Sequence, residues 1–347
     1  MQKNYTIKDI AELAGVSKGT VDRVLHKRGK VSELAMEKVN AVLNQIDYKP
    51  NLLAKNLKNN KRYRVSILLP DPKHDPYWTP CVTAVNTITE EFNAFSITFE
   101  TYFFNPKNTA SFLDANAKIM ATLPDAVLMV PLFLKESATV LQQYETLNII
   151  VSTINNNVDS NSVKSFIGQD LHTSGRVAAK LMHSLIREGN IAIIHIDEKY
   201  KNAIFMQQKE KGFKRYFNEL NAFNGNITPV KLKHPDFEDT LTRFINQDPF
   251  LKGIFVTTSK AYQVADVLNH INRNDIALIG YDLLNENVAH LKQGGIDFLI
   301  HQNPKQQTYL GLKNMVEFLL FDKPIPEQIH LPIDIINSEN VTPFMRD

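Results

Sequence analysis

The chain has 347 residues, one cysteine and a formal charge of +2. That length allows two or three domains with substantial cores, and the lone Cys81 excludes a disulfide framework or a cysteine-rich zinc site within one chain. The amino terminus, Met-Gln-Lys-Asn-Tyr-Thr, lacks the apolar run of a signal peptide, and no run of about 18 apolar residues suits a membrane span, so a cytoplasmic protein is expected. The small net charge hides an asymmetry: residues 1–64 hold 14 Lys and Arg against 6 Asp and Glu, and the rest hold 25 against 31. A basic head on an acidic body is the footprint of nucleic-acid binding confined to one module.

The first elements are short helices. Thr6 and Asp9 have the spacing of a capping box. Ile7, Ile10, Ala11 and Ala14 then recur on one helical face. Gly15 ends that helix, because glycine accepts the left-handed turn, and Ser17 suits a second N-cap. Thr20, Val21, Val24 and Leu25 give a second helix, with Lys18, Gly19, Asp22 and Arg23 on its exposed face. Two short helices joined by a glycine-containing turn form a helix-turn-helix, whose second helix enters the major groove. Ser32 starts a third helix, with Leu34 or Ala35, Val39, Val42, Leu43 and Ile46 facing the core. Residues 52–58 are helix-forming but too short to hold a helix without packing.

Ile-Lys-Asp-Ile-Ala-Glu-Leu-Ala-Gly-Val-Ser, then Thr-Val-Asp-Arg-Val-Leu-His, Val-Ser and Tyr-Lys-Pro-Asn, resemble the DNA-binding head of the LacI family of transcriptional regulators. The match runs over about 55 residues without a gap. It implies a head at 1–49, a hinge helix and linker at 50–63, and an effector-binding body at 64–347. It also implies that Thr6, Ser17, Lys18, Gly19, Thr20 and Arg23 meet operator DNA, Lys18 and Gly19 at base edges. Asn51 and Ala54 would face DNA from the hinge helix, and Leu57 would wedge into the minor groove and kink the duplex. Two departures stand out. Asp22 replaces the usual Ser, and Gly19 offers no side chain for base readout, which leaves more of the specificity to Lys18.

From residue 64 onward strands and helices alternate. Apolar strands are expected at 65–69, 97–104, 126–131, 149–153, 165–168, 191–196, 230–232, 253–257, 276–281, 298–301 and 330–336, with amphipathic helices between most of them. This pattern means doubly wound parallel sheets. Roughly 280 residues would overfill one sheet, so two lobes with a cleft between them fit better, the ligand sitting at the carboxyl ends of the strands. Ile167-Gly-Gln-Asp170, Thr173-Ser-Gly-Arg176 and Leu278-Ile-Gly-Tyr-Asp282 resemble the ribose-binding-type, periplasmic-binding-protein-like body of the same family. The resemblance implies three chain crossings, expected near Gln169, Gln302 and 321–324. The lobes would be 64–168 with 303–321, and 169–302 with 322–347.

A sugar pocket needs carboxylates and amides for hydroxyls and aromatic faces for the ring. Asp75-Pro-Tyr-Trp78, directly after the first body strand, combines all but the amide. By the resemblance Asp75 stands for a sugar-binding Asn, and Tyr77 and Trp78 for stacking aromatics; both rings also suit a helix start packed inside the lobe. Asn155 falls where sugar binders often have Asp, although the Asn155–Asn157 run is also strong turn chemistry. Asp282 and Gln302 match an Asp and a Gln near the hinge. Gln207 and Thr258 match positions usually held by Arg and Asn, and Asp170 reads as a hinge-structuring carboxylate. With no Arg at 207, a neutral sugar or polyol is favoured over a strongly acidic effector, unless Lys209 reaches in.

No metal-spaced histidines, nucleophile elbow or Walker loop is present, so no enzyme, cofactor or metal is expected. The expectation is a homodimeric repressor of carbohydrate-utilisation genes that binds operator DNA and a monosaccharide or polyol, and no membrane. Two alternatives stay open: the same architecture sensing a purine-like corepressor, and a sugar-acting enzyme carrying a DNA-binding head.

Overall fold

A computed structural model describes residues 5–25, 28–46, 61–158, 160–197, 204–220 and 223–345. It divides into two compact units, Met1–Asn59 and Asn60–Asp347.

The first unit holds helices α1 (Ile7–Ala14), α2 (Lys18–Leu25) and α3 (Glu33–Gln45). Thr6 N donates to Asp9 Oδ2 at 2.7 Å and Asp9 N donates to Thr6 Oγ1 at 3.3 Å, so the capping box forms. Gly15 closes α1 at φ 63°, a conformation that costs glycine nothing. Ser17 accepts from Thr20 N at 3.1 Å. Ile10, Ala11, Ala14, Val21 and Val39 are buried together, with Val42, Leu43 and Ile46 packed against them. Of the two candidates at the start of α3, Ala35 turns inward, whereas Leu34 is 64% exposed. Asn51, Ala54 and Leu57 lie outside the described residues.

The second unit contains two six-stranded sheets. The first has the order β11-β5-β4-β3-β1-β2 and the second β12-β10-β9-β8-β6-β7. In the first, β1 (Tyr63–Pro70) lies between β2 (Ile97–Phe104) and β3 (Ala126–Met129), followed by β4 (Ile150–Ile154), β5 (Val163–Gly168) and β11 (Gln328–His330). In the second, β6 (Asn190–Ile196) lies between β7 (Ile227–Leu232) and β8 (Leu251–Val256), followed by β9 (Ala277–Tyr281), β10 (Phe298–His301) and β12 (Asp334–Ile336). Inner strands such as β1 and β3 read as nearly unbroken apolar runs because helices cover both faces. Val65, Ile67, Leu69 and Leu128, for example, are fully buried. All pairings are parallel except β10 with β12, which is antiparallel and departs from the all-parallel expectation.

The strand expected at 330–336 is two strands, one in each sheet. Gln328–His330 pairs with β5 and Asp334–Ile336 with β10. The third crossing therefore falls at 331–333, not at 321–324, and the first lobe extends through His330. Pro332 sits in that crossing, where no ladder hydrogen bond asks for its missing N–H. Helix α12 (Pro304–Phe321) still belongs to the first lobe: Leu312, Met315, Val316 and Leu320 share a core with Val65, Ile67 and Leu69. One buried side chain ties the three crossings together. Gln169 Nε2, in the first crossing, donates to His301 O at 2.8 Å and to Pro332 O at 2.7 Å. Among the described residues no helix is long and apolar enough to cross a membrane.

Candidate effector cleft and nucleic-acid interface

At the carboxyl ends of the two sheets a cavity, partly open to solvent, is lined from both lobes. Asp75, Tyr77, Trp78 and Asn155 come from the first lobe, and Thr258, Asp282 and Gln302 from the second and the crossing after it. Seven of the eight expected effector residues thus converge. The exception is Gln207, which does not line the cavity. Phe205 and Lys209, from the same helix α8 (Ile204–Glu219), do.

The first-lobe wall is set by the end of β1. Asp75 accepts from Tyr77 N at 3.1 Å and so caps a 3₁₀ turn, Pro76–Trp78. That turn aims Tyr77 and Trp78 together, ring centroids 4.7 Å apart and nearly perpendicular, the edge-to-face arrangement that aromatic quadrupoles favour. The rings are buried, as a helix start packed inside the lobe requires, and they also line the cleft. Burial pushes the Asp75 carboxyl above its ordinary value, with the Tyr77 N–H and the charge of Lys260 pulling back. Asn155 follows β4 at φ 68°, where asparagine is one of the few tolerated side chains. Its Nδ2 donates to Tyr77 Oη at 2.6 Å. Its turn chemistry and its place in the cleft are one feature.

The second-lobe wall is built around two buried charged groups, each held by hydrogen bonds to its own neighbours. Asp282, at φ 65° after β9, accepts from Gln302 N at 3.0 Å and from Gln302 Nε2 at 2.7 Å. Lys209 is 1% exposed. Its Nζ donates to Thr257 O at 3.1 Å and stands 3.5 Å from the centre of the Tyr281 ring, close enough for a cation–π contact. Burial opposes the charge on both groups, lowering Lys209 and raising Asp282, and the attraction between them partly offsets it. Thr258 Oγ1 is buried and has no hydrogen-bond partner. Such a hydroxyl in a cavity wall is costly unless a ligand or water meets it.

Lys209 reaches this position because α8 lies against α7 (Leu171–Leu185) at backbone distance. A Cβ on Gly175 would stand 2.0 Å from Lys209 O, and one on Gly212 would stand 1.9 Å from His172 O. Asp170 caps α7 by accepting from Thr173 N at 2.9 Å, the structural role expected of it. Behind the wall, His195 links Thr257 Oγ1 at 2.8 Å to Glu210 Oε2 at 2.8 Å. Sequence reasoning gave Lys209 only a conditional place. The signal was its phase: it falls on the same helical face as Met206, Phe213 and Phe217, all buried, and a lysine on an apolar stripe needs a partner.

In the first unit, Thr6, Ser17, Lys18, Gly19 and Arg23 are exposed and Thr20 is half-buried. Ser17 Oγ and Thr20 Oγ1 are 2.9 Å apart and share a hydrogen bond. Gly19 and Arg23 lie on the side of α2 away from the buried Val21, and Lys18 is exposed at the helix's first residue.

A family model of the periplasmic binding protein domain matches residues 65–323, and one of the lacI family of bacterial regulatory proteins matches residues 6–51. The chain belongs to the periplasmic binding protein domain family and carries a lacI-family head. It is similar to the ribose operon repressor of Halalkalibacterium halodurans, 26% identical over 80% of each chain. It is also similar to the sucrose operon repressor of Streptococcus mutans, 23% identical over 96% of this chain and 99% of that one. Among solved structures, one described as a LacI transcriptional regulator from Bacteroides fragilis superposes with TM-score 0.76 at 26% identity, covering 81% of this chain and 99% of that one. The lacI-family match ends at Asn51, so it spans Thr6, Ser17, Lys18, Gly19, Thr20, Arg23 and Asn51.

Proposed function

We propose that the chain is a repressor of carbohydrate-utilisation genes that works in the cytoplasm, its grip on operator DNA controlled by a neutral monosaccharide or polyol in the interlobe cleft. The observation that carries the effector class is the balance of the cleft. Carboxylates, amides and unsatisfied hydroxyl converge beside aromatic faces, and each carboxylate has a lysine in its field: Asp282 has Lys209 and Asp75 has Lys260. A neutral ligand leaves that balance undisturbed, whereas a strongly anionic one would compete with Asp282 for the field of Lys209. The sugar-operon names of the relatives support the same reading.

Asp75 and Asp282 act here as binding groups, not as an acid–base pair. One Asp75 oxygen is used by Tyr77 N, and both Asp282 oxygens accept from Gln302. On the DNA side, Lys18 and Gly19 would meet base edges, and Thr6, Ser17, Thr20 and Arg23 would meet phosphates and bases. Two heads in a homodimer would read a near-palindromic operator. Residues 50–63 would carry the coupling, with Asn51, Ala54 and Leu57 ordered on DNA and released when the effector resets the lobes. The shift is bounded by how differently the effector binds the two states.

The test is a gel shift on the chain's own promoter region across a panel of monosaccharides, polyols and nucleobases. A change in operator affinity with one sugar and none of the bases supports the proposal. A response to a nucleobase alone overturns the effector class. Leu57→Ala should lose specific operator affinity while keeping effector binding, and normal operator binding by that variant would remove the wedge.

A further inference from the structure

Gln307 lies on α12 behind the cavity wall. It is 1% exposed and does not line the cavity. Nothing in its sequence surroundings marks it. Yet it is the link between the two walls. Its Oε1 accepts from Asn155 N at 2.8 Å, and its Nε2 donates to Gln302 O at 2.7 Å. Beyond Asn155 the chain of bonds reaches Tyr77 Oη at 2.6 Å; beyond Gln302 it reaches both oxygens of Asp282. The whole run, from Tyr77 through Asn155, Gln307 and Gln302 to Asp282, is buried. It starts on one lobe, passes the crossing after β10 and ends on the other.

We propose that Gln307 is a positioning residue that fixes the spacing between the first-lobe contacts, Asn155 and Tyr77, and the second-lobe contacts, Asp282 and Gln302. A ligand held by one wall is thereby registered by the other. The inference rests on the cleft being the effector site. The chemistry requires an amide. One end must accept from a backbone N–H and the other must donate to a backbone carbonyl, and of the side chains of this length only glutamine does both. Buried links of this kind also strengthen one another.

The chain has a single tryptophan, Trp78, which lines the cavity and rests edge-on against Tyr77. Its fluorescence therefore reports the cleft with or without a ligand. The experiment compares the full-length chain with Gln307→Met and Gln307→Glu. It reads Trp78 emission in the free protein, affinity for D-ribose, D-arabinose, D-glucose, D-galactose, sucrose and trehalose, and the melting temperature. Both variants should shift the free-protein emission. They should also weaken the best-bound sugar by about tenfold, the worth of roughly one net buried hydrogen bond. Asn155→Gly keeps the left-handed backbone and the N–H bond to Gln307, and removes the bond to Tyr77 together with the amide's own place in the cleft. On that background Gln307→Met should add less than about twofold, because both changes break one path.

A purely structural glutamine would lower the melting temperature and leave the emission and the affinity unchanged, and that result overturns the proposal. If the natural chain binds none of the sugars but the variants shift Trp78 emission and Asn155→Gly absorbs the effect, the positioning role stands and the effector class falls. Should Gln307→Met not fold, Gln307→Glu keeps the acceptor for Asn155 N. When ionised it turns the donation to Gln302 O into a repulsion, whereas its protonated form restores the bond, so that variant is read at both neutral and acid pH. Asn155→Gly tests the same path from its other end, and unchanged Trp78 emission there also overturns the proposal.

Discussion

The two lobes of the body share a strand order and differ in chemistry. In each, the cleft is fed by the segments that follow equivalent strands. The first lobe supplies Tyr77, Trp78, Pro106, Leu132 and Asn155, with Asp75 as its one charge; the second supplies Lys209, Lys260, Asp282 and three consecutive hydroxyls, Thr257, Thr258 and Ser259. The fold fixes where a side chain is delivered, and the few residues beyond each strand decide what is delivered. The walls are also held differently. The first rests on local turns such as the Asp75 cap, the second on a buried carboxylate and a buried amine held by hydrogen bonds to Gln302 and to Thr257 O. Damage to the second wall should therefore cost stability and binding together, and damage to the first mainly binding.

The sharpest way to break this contrast is Asp282→Ala. It strands Lys209 in the core and leaves Gln302 without its acceptor. Each of the two buried Gln302 donors left without an acceptor costs about 1–3 kcal/mol. Urea denaturation should show a loss of that size, with sugar binding abolished. Trp78→Leu, on the opposite wall, should weaken sugar binding with a smaller loss in the same assay. Equal stability losses in the two variants would erase the distinction.

The hinge offers the next largest effect. Burial holds His301 down at about 4 from its ordinary 6.5, and Asp334 only partly restores it. Its Nδ1 is buried without a hydrogen bond. The unfolded chain takes up this proton below pH 6.5, whereas the folded chain resists until about 4, so stability falls as pH drops through that window. His301→Asn should flatten that part of the stability–pH curve, by up to about 3 kcal/mol at its acid end. An unchanged curve from pH 6.5 to 4 would mean that the imidazole is not shielded by the crossings.

Helix packing then separates the lobes by a matched pair of substitutions. Gly175→Ala sets a methyl 2.0 Å from the Lys209 carbonyl, which is backbone and cannot step aside; Gly311→Ala, in the first lobe, meets Leu128 Cδ1 at 2.7 Å, a side-chain end that can. The first should cost about 1–3 kcal/mol by overpacking and disturb sugar binding through Lys209. The second should stay within roughly 1 kcal/mol, since alanine also favours the helix. Thermal unfolding of the pair decides it.

Much of this was legible in the sequence because strand ends are local. Asn155, Asp282 and Gln302 each follow an apolar run directly and Asp75 comes soon after one, and the family resemblance marked which of these strand-end residues to expect in the cleft. The head was equally readable, since a capping box and a glycine stop are contiguous signals. The failures are non-local. Residues 330–336 look like one apolar strand, and only the competition between two sheet edges divides them around Pro332. Lys209 against Gln207 is a question of helical phase, and the answer comes from Gly175 and Gly212 letting α7 and α8 touch. Gln307 is invisible because its partners are 152 and 5 residues away and both are backbone groups.

The smallest effect lies at the mouth of the cleft, where the lobes meet through a surface pair. Lys107, after β2, stands 3.6 Å from Asp197, after β6, and its side chain is 65% exposed. Asp197 is already supplied by its own lobe: it accepts from His234 N at 3.0 Å and has Lys260 at 3.5 Å. Those partners hold its carboxyl below the ordinary value against the effect of burial. Lys107 adds charge to an acid that does not need it, and an exposed pair is worth about 0–1 kcal/mol. Lys107→Ala should thus change sugar affinity by less than about fivefold at low salt, and the difference should fade as salt screens it. A larger, salt-resistant loss would make this contact a latch between the lobes and give the first lobe a second charged group besides Asp75.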